Sequence, residues 1–349
     1  MSAIFTSDNQ SPIAPQILDA IIRANSGKSP SYGADAITQR LQSQFSAVFE
    51  KELLVFPVTT GTAANALALA MLSPPWGTIF CHQEAHIATD ECGAPEFFTS
   101  GAKLHLLAGE HGRLTPEILS RCLRDTNPGD QHQTQPAVLS LSQVTEAGTI
   151  YTPAEIAALS AIARQHRLYV HMDGARIANA LVSLNCSPAD MTWRAGIDAL
   201  SFGATKNGAL AAEAVLFFDP ALAENFRYRR KRAGHLVSKM RFLSAQLEAY
   251  LENGLWLQLA ANANAQAARL DGGLRAISKV EILHPVQANE IFARIPPVMI
   301  QPLRDQGFGF HVWGREDEGV IRLVTGFDTT PDEVDAFIAA VRAVSGGAG

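Results

Sequence analysis

Four short stretches of this chain set chemically useful side chains beside turns. In "LSFGATKNGAL", Lys206 follows apolar Leu200 and Phe202, and small residues surround it: Gly203, Ala204, Gly208 and Ala209. Lysine normally stays in water, because burying its charge is costly. A lysine held out of water gives up its proton more readily and can form a Schiff base. Its plainer reading is a surface lysine whose stem alone is covered. In "HMDGARIANA", Asp173 follows an apolar run directly, with Gly174 as a turn and Arg176 just beyond. Such an Asp suits a cationic ring nitrogen, or simply pairs with Arg176 within the turn. In "TTGTAANALALAML", Gly61 and Thr62 open an alanine-rich helix. The free N–H groups and positive dipole end of a helix N-terminus suit a phosphate; an ordinary cap is the alternative. In "CHQEAHIATDECGAP", His82 and His86 stand four apart, with Glu84, Asp90 and Glu91 nearby. On a helix they would share a face and could hold a metal. The order is H-x-E-x-H rather than the H-E-x-x-H of zinc proteases, and no third ligand is evident. A stacking or acid–base histidine, or a capping or core histidine, are the other readings.

Together the four stretches make a part list for pyridoxal phosphate. That cofactor needs a Schiff-base lysine (Lys206), an acidic partner for its pyridinium nitrogen (Asp173), and phosphate donors (Gly61 and Thr62). The acid keeps the ring nitrogen protonated, so that the ring can take up electrons.

These residues must be positioned by the elements around them. The runs at 137–141, 168–172, 199–203 and 214–218 read as short strands bounded by turn signals. Residues 152–166 read as a helix, with Thr152 as N-cap, Pro153 at the first position and Glu155 at the third. The alternation predicts an α/β fold with a mainly parallel sheet. In such sheets functional residues gather beyond the carboxyl ends of the strands. From 243 to 270 the spacing predicts a long helix. Strand candidates follow at 279–284, 291–294, 308–313 and 320–324, then a helix at 331–344. We therefore expect an N-terminal segment (1–14), a large cofactor-binding domain (15–245) and a smaller α+β domain (246–349).

The chain has 349 residues, 47% hydrophobic and 18% charged, enough for a large core and a length of roughly two domains. A net charge of −6 and the lack of a long basic stripe argue against a nucleic-acid partner. The one basic cluster, "RYRRKR" at 227–232, reads mostly as a solvated helix face. No stretch approaches the roughly 18 apolar residues of a membrane span. The opening "MSAIFTSDNQSP" has neither the basic start nor the apolar run of an export signal. Four scattered cysteines fit reduced thiols in the cytoplasm. No strand leads into G-x-G-x-x-G, which argues against a dinucleotide enzyme.

At these residues the chain resembles the L-threonine aldolases, of the fold-type-I pyridoxal-phosphate enzymes. The resemblance runs from "SDNQSP" (7–12) to "IRLVTGF" (321–327), and "HMDGARIANA" followed by "SFGATKNG" is its most specific part. It implies that Lys206 forms the Schiff base, Asp173 pairs with the pyridine nitrogen, and Gly61 and Thr62 hold the phosphate. It implies that His86 stacks on the ring and takes part in proton transfer. Arg176 and Arg322 would bind the substrate carboxylate with their planar forks, and Ser7 would lie near it. Tyr32, in "SYGAD", matches a motif at the family's active-site edge. Arg241 matches an arginine that reaches phosphate from a neighbouring subunit, although "GHLVSK" replaces the glycine-rich run before it. Many members carry a histidine in the loop that here reads "VLSLSQVTEAG", where this chain has Glu146. The base is therefore open among His86, Glu146 and a held water.

The implied activity is cleavage of L-threonine, L-allo-threonine or related β-hydroxy-α-amino acids to glycine and an aldehyde. The implied assembly is a homo-oligomer, dimer or tetramer. Rival readings are a phenylserine preference, β-elimination or transamination on the same scaffold, and more distantly a metal enzyme using His82 and His86. A non-catalytic binding protein is a further rival, against which Lys206 and Asp173 both argue.

Overall fold

A computed structural model describes residues 3–347. The first two residues of segment 1–14 and the last two of segment 246–349 lie outside the described residues. Seven strands form the main sheet: β1 (Leu54–Val58), β2 (Gly77–His82), β3 (Lys103–Leu107), β4 (Gln135–Ser142), β5 (Tyr169–Gly174), β6 (Ala199–Gly203) and β7 (Glu213–Phe217). Their spatial order is β1-β7-β6-β5-β4-β2-β3. The pairs from β6 through β5, β4 and β2 to β3 are parallel, and β7 and β1 add antiparallel partners at the other side. Every residue of β2, β6 and β7 is buried. This is why these strands read as continuous apolar runs rather than alternating ones.

Helices cover both faces. Helix Gly61–Leu72 is nearly all small or apolar and buries Ala63–Leu67 without interruption. It packs in a core with Phe217 and Phe226. The opposite face carries Phe45, Phe202, Tyr250 and Trp256, with Phe45 and Phe202 edge to face at 5.2 Å. Helix Pro153–Gln165 has the expected Thr152 cap, Pro153 and a complete Thr152–Glu155 capping box.

Four short strands form a second sheet: β8 (Glu281–Ile282), β9 (Glu290–Arg294), β10 (His311–Val312) and β11 (Val320–Val324), in the order β10-β11-β9-β8. The expected strands at 279–284 and 308–313 thus shrink to two residues each. The helix expected over 243–270 divides into Arg241–Leu251 and Leu255–Arg275. The break falls where Asn253 and Gly254 adopt positive φ (52° and 70°), which ends a helix. Helix Leu255–Arg275 serves both cores. Its Leu255, Trp256 and Ala260 join the main one, and its Ala267, Leu270 and Leu274 join the second. The N-terminal segment joins the second core through Phe5, whose N–H donates to Gly309 and whose carbonyl accepts from Val324.

Within "RYRRKR", Arg230 departs from the solvated face. It is buried over the Phe56 ring at 5.4 Å and donates to the Pro57 carbonyl, and burial pushes its guanidinium down to about 10. No helix among the described residues is long and apolar enough to cross a membrane.

His171 lies at the centre of the main sheet, fully buried on β5. Its ring nitrogens meet Ser140 Oγ on β4 at 2.9 Å and Ser201 Oγ on β6 at 3.0 Å. Burial pushes the imidazole down to about 4, against an ordinary value of 6.5. The unfolded chain therefore takes up a proton below pH 6.5 that the folded chain refuses until about pH 4, so this residue's contribution to stability falls across that window. In urea unfolding, the wild type should lose stability with falling pH more steeply than His171→Asn. The slopes should differ by at most about 1.4 kcal/mol per pH unit, one proton's worth. Equal slopes would contradict a neutral buried imidazole.

Candidate active site

A cavity of about 280 Å³ opens at the carboxyl ends of β4, β5 and β6, where parallel strands present loops and helix ends. Seven of the expected site residues line it: Gly61, Thr62, His86, Glu146, Asp173, Arg176 and Lys206.

Asp173 reaches it from the carboxyl end of β5. Its Oδ1 accepts from the Ala175 N–H at 3.0 Å and its Oδ2 from Asn65 Nδ2 at 2.7 Å. Lys206 follows β6 in a single turn, Thr205–Asn207. The two loops approach closely because Gly203 has no side chain; a Cβ there would stand 2.4 Å from the Ala175 carbonyl oxygen. Glu213, at the start of β7, supports the Lys206 turn. Its Oε2 accepts from the Ala204 N–H at 3.1 Å. Burial pushes its carboxyl up to about 7, although Thr205, the Ala204 N–H and Lys206 all pull the other way.

At another wall helix Gly61–Leu72 points its N-terminus into the cavity. Thr60 caps it by accepting from the Ala63 N–H at 3.2 Å. Gly61 has open space where a side chain would stand. One turn further in, Asn65 Nδ2 donates to Asp173 and also to Glu91 Oε1 at 2.8 Å. Glu91 Oε1 in turn meets His86 Nδ1 at 2.9 Å. The Glu91 hydrogen bond raises the imidazole above its usual value, and burial raises the Glu91 carboxyl.

The expected substrate-carboxylate arginines stand in a compact charge cluster. Arg176 donates from Nε and Nη2 to the two oxygens of Asp8, at 2.7 and 2.9 Å, and its Nη1 lies 3.2 Å from Glu290. Burial opposes the charge, but Asp8 and Glu290 outweigh it and raise the guanidinium further. Arg322, on β11, sits 3.6 Å from the other oxygen of Glu290 and over the Trp313 ring at 5.4 Å. Its Nε has no hydrogen-bond partner. Ser7 is beside this cluster in sequence, where its Oγ accepts from the Asn9 N–H at 3.1 Å.

Ser7, Tyr32, Arg241 and Arg322 do not line the cavity. Tyr32 is half exposed with Lys231 Nζ 4.6 Å above its ring, and Arg241 donates to the Gly27 carbonyl at 3.2 Å. His82 and His86, whose spacing would put them on one face of a helix, are separated. His82 closes β2, and its ring nitrogens face the Gly109 carbonyl and the Glu84 N–H; His86 opens the short helix His86–Thr89. A helix cannot span them because residues 83–85 carry the chain away from the strand end.

Sequence reasoning passed over Asp8, Asn9, Asn65, Ser142 and Glu213, all at or beside the site, and Glu290. Two of these carried a signal. Asn65 lies one helical turn beyond Gly61, and Asp8 adjoins Ser7 within "SDNQSP". Glu290 had none, since it reads as one more residue of a short strand.

Comparison with known proteins bears on this geometry. Residues 5–296 match the family model described as beta-eliminating lyase. The chain is 43% identical to the low specificity L-threonine aldolase of a Pseudomonas species, over 97% of each chain. It belongs to the L-threonine aldolase family. A solved threonine aldolase from Leishmania major superposes with a TM-score of 0.92 at 29% identity, covering 98% of this chain and 99% of that one. Serine palmitoyltransferase from Sphingomonas wittichii shares the fold alone, with a TM-score of 0.74 at 14% identity over 99% of this chain and 88% of that one. The fold is that of the fold-type-I pyridoxal-phosphate enzymes.

The cavity fits that cofactor on its own chemistry. It brings together an amine, a carboxylate held by two donors, and a helix N-terminus with open space before it. It also holds buried polar atoms that no protein group satisfies, among them Asn65 Oδ1 and Glu146 Oε2.

Asn65 is the one donor that Glu91 and Asp173 share. Asn65→Leu keeps the side chain's size and removes one donor from each carboxylate, leaving Glu91 with His86 and Asp173 with the Ala175 N–H. We expect a loss of about 1–3 kcal/mol in urea unfolding, chiefly from Asp173 Oδ2, which loses its donor. A loss indistinguishable from zero would mean that water replaces the amide.

Proposed function

We propose that this chain cleaves L-threonine, L-allo-threonine or related β-hydroxy-α-amino acids to glycine and an aldehyde, with pyridoxal phosphate as cofactor. The observation that carries the reading is the shared cavity of Lys206 and Asp173, at the carboxyl ends of adjacent parallel strands, with a helix N-terminus opening onto it. The likeness to named threonine aldolases points to the same reaction.

Bound pyridoxal phosphate would supply an aldehyde carbon for the substrate amine and a pyridinium ring that accepts the electron pair released at Cα. The chain's own residues supply the rest. Lys206 Nζ would hold the cofactor between turnovers and yield it to the substrate amine. Asp173 would keep the proton on the ring nitrogen, itself fixed by Asn65 and the Ala175 N–H. The N–H groups of Gly61 and Thr62 would hold the phosphate, in a place where the helix dipole favours negative charge. His86, held by Glu91, would lie against the ring.

Arg176 and Arg322 would bind the substrate carboxylate. Asp8 and Glu290 hold the Arg176 guanidinium in one orientation, which would set the angle at which a carboxylate meets the N–H bonds they leave free. That angle matters because the Cα–Cβ bond must stand across the ring plane for its electrons to delocalise as it breaks.

Tyr32 and Arg241 lie outside the chain's own cavity. Their placement supports a homo-oligomer, dimer or tetramer, in which a second copy contributes them. The reading also keeps the four free cysteines in a reducing cytoplasm.

The test is acetaldehyde release from L-threonine by protein supplied with pyridoxal phosphate, beside Lys206→Ala. The wild type should release acetaldehyde and glycine and show the visible band of bound cofactor. Lys206→Ala should lose nearly all turnover and that band. Release of 2-oxobutyrate instead would move the reading to β-elimination. Normal turnover in Lys206→Ala would remove the lysine from its role.

A further inference from the structure

Glu213 is a buried acid in the cavity to which the retro-aldol reaction gives no task. It opens β7, and the sheet places it between two strand ends. On one side it stands opposite Gly203, after which β6 turns into Lys206. On the other it stands opposite Val58, after which β1 runs on to Gly61 and Thr62. It thus lies between the lysine turn and the helix N-terminus that suits a phosphate. Its Oε2 accepts from the Ala204 N–H at 3.1 Å, and Thr205 meets it through both hydroxyl and N–H.

Lys206 is held between tied neighbours. The Thr205 hydroxyl accepts from the Ala212 N–H at 3.2 Å. Asn207 Nδ2 donates to the Tyr250 hydroxyl at 2.7 Å and to the Trp256 carbonyl at 2.8 Å. The backbone that carries Lys206 is therefore fixed to β7 on one side and to helices Arg241–Leu251 and Leu255–Arg275 on the other. An amide oxygen could cap this turn as a carboxylate does, without the cost of burying a charge. A glutamate in that place points to a use for the charge itself.

We propose that Glu213 is a positioning residue for Lys206: its carboxylate caps the lysine turn, and its negative charge keeps a proton on Lys206 Nζ while that nitrogen holds the cofactor. The role rests on the pyridoxal-phosphate reading. A nearby anion favours the protonated form of a nitrogen. An amine also departs more readily with its proton on, which matters when the substrate amine takes the place of Lys206.

The groups around Glu213 leave Lys206 as its cation. Lys206 acts on it from the turn after β6, and Tyr250 faces it from helix Arg241–Leu251. Helix Gly61–Leu72 brings no ionisable side chain. Behind β1, His235 Nδ1 meets Thr59 Oγ1 at 2.8 Å and Arg230 donates to the Pro57 carbonyl. His86, Glu146, Asp173 and Arg176 line the other walls of the cavity. Burial pushes the Glu213 carboxyl up to about 7, and Lys206 is among the groups that pull it back down. A lasting positive charge on Lys206 Nζ and an ionised Glu213 therefore favour each other.

The experiment follows the visible cofactor band of wild-type holoenzyme and of Glu213→Gln as pH is raised, with no substrate present. Glutamine keeps the shape and an acceptor for the Ala204 N–H but carries no charge. We expect Glu213→Gln to bind pyridoxal phosphate and show the band. The midpoint of its pH-dependent change in wavelength should fall about one pH unit below that of the wild type, the low end of what a nearby opposite charge produces. A band that keeps one wavelength until the protein unfolds counts as a midpoint above that pH. Glu213→Asp, with the charge on a shorter stem, should stay closer to the wild type. Equal midpoints in the wild type and Glu213→Gln would overturn the proposal, as would a shift in Glu213→Asp as large as that in Glu213→Gln. Loss of the band in Glu213→Gln would overturn it too, because an uncharged cap of the same shape should still hold the turn. A wild type that shows no band with added pyridoxal phosphate would overturn the cofactor reading itself, and this role with it.

Discussion

The parallel pairing of β5 with β6 is the constraint on which the site depends. The register sets Asp173 opposite Ser201 and Gly174 opposite Phe202, so both strands end at the same edge of the sheet. The turn after β6 then carries Lys206 to the cavity that Asp173 already borders. A shift of one residue would send each side chain to the other face, because side chains alternate along a strand. The register is held by what lies behind the site. His171 bridges β4 and β6 from within β5, and the apolar faces of both strands are packed on aromatic rings.

Around this pair the chain gathers more carboxylates than such a small space readily tolerates. Asp8, Glu91, Glu146, Asp173, Glu213 and Glu290 all lie at or beside the cavity. Burying an ionised carboxylate is costly unless it is paired or hydrogen-bonded. The structure answers in three ways. Asp8 and Glu290 share arginines; Glu91 and Asp173 share the amide of Asn65; Glu146 and Glu213 take backbone N–H groups and hydroxyls, and both sit well above the usual carboxylate range. The different solutions separate the groups by task. The carboxylates beside arginines have a cation paired with them, whereas burial pushes the hydrogen-bonded carboxyls of Glu146 and Glu213 up to about 7.

The second core matters to the site because it delivers two charged strands. The N-terminal segment is drawn onto it by Phe5, which packs against Phe337 at 5.3 Å, and this places Asp8 against Arg176. β9 and β11, paired antiparallel, carry Glu290 and Arg322 to the same cluster. Helix Leu255–Arg275 runs through both cores, so the arginine cluster is referenced to the sheet that holds Lys206.

What the sequence determined by itself is local. Strand runs, the capped helix at Pro153–Gln165 and the motif residues Gly61, Thr62, Asp173 and Lys206 could all be read from it. Caps act over three or four residues, and burial of whole strands shows as unbroken apolar runs. The identity of partners was decided only by tertiary structure. Asp8 meets Arg176 across 168 positions, and Asn289 beside Glu290 reaches Asp8 across 281. No periodicity carries such information; strand register and chain packing create it. The same reason explains where helical spacing did not become one helix. His82 and His86 had helical spacing, but a strand end separated them, and the long helix after 243 broke at residues whose backbone turned left-handed. It also explains why Glu146 stayed one candidate among several. Its type was legible, but the pinned Oε1 and the unpartnered Oε2 exist only once β4, β5 and helix His86–Thr89 come together.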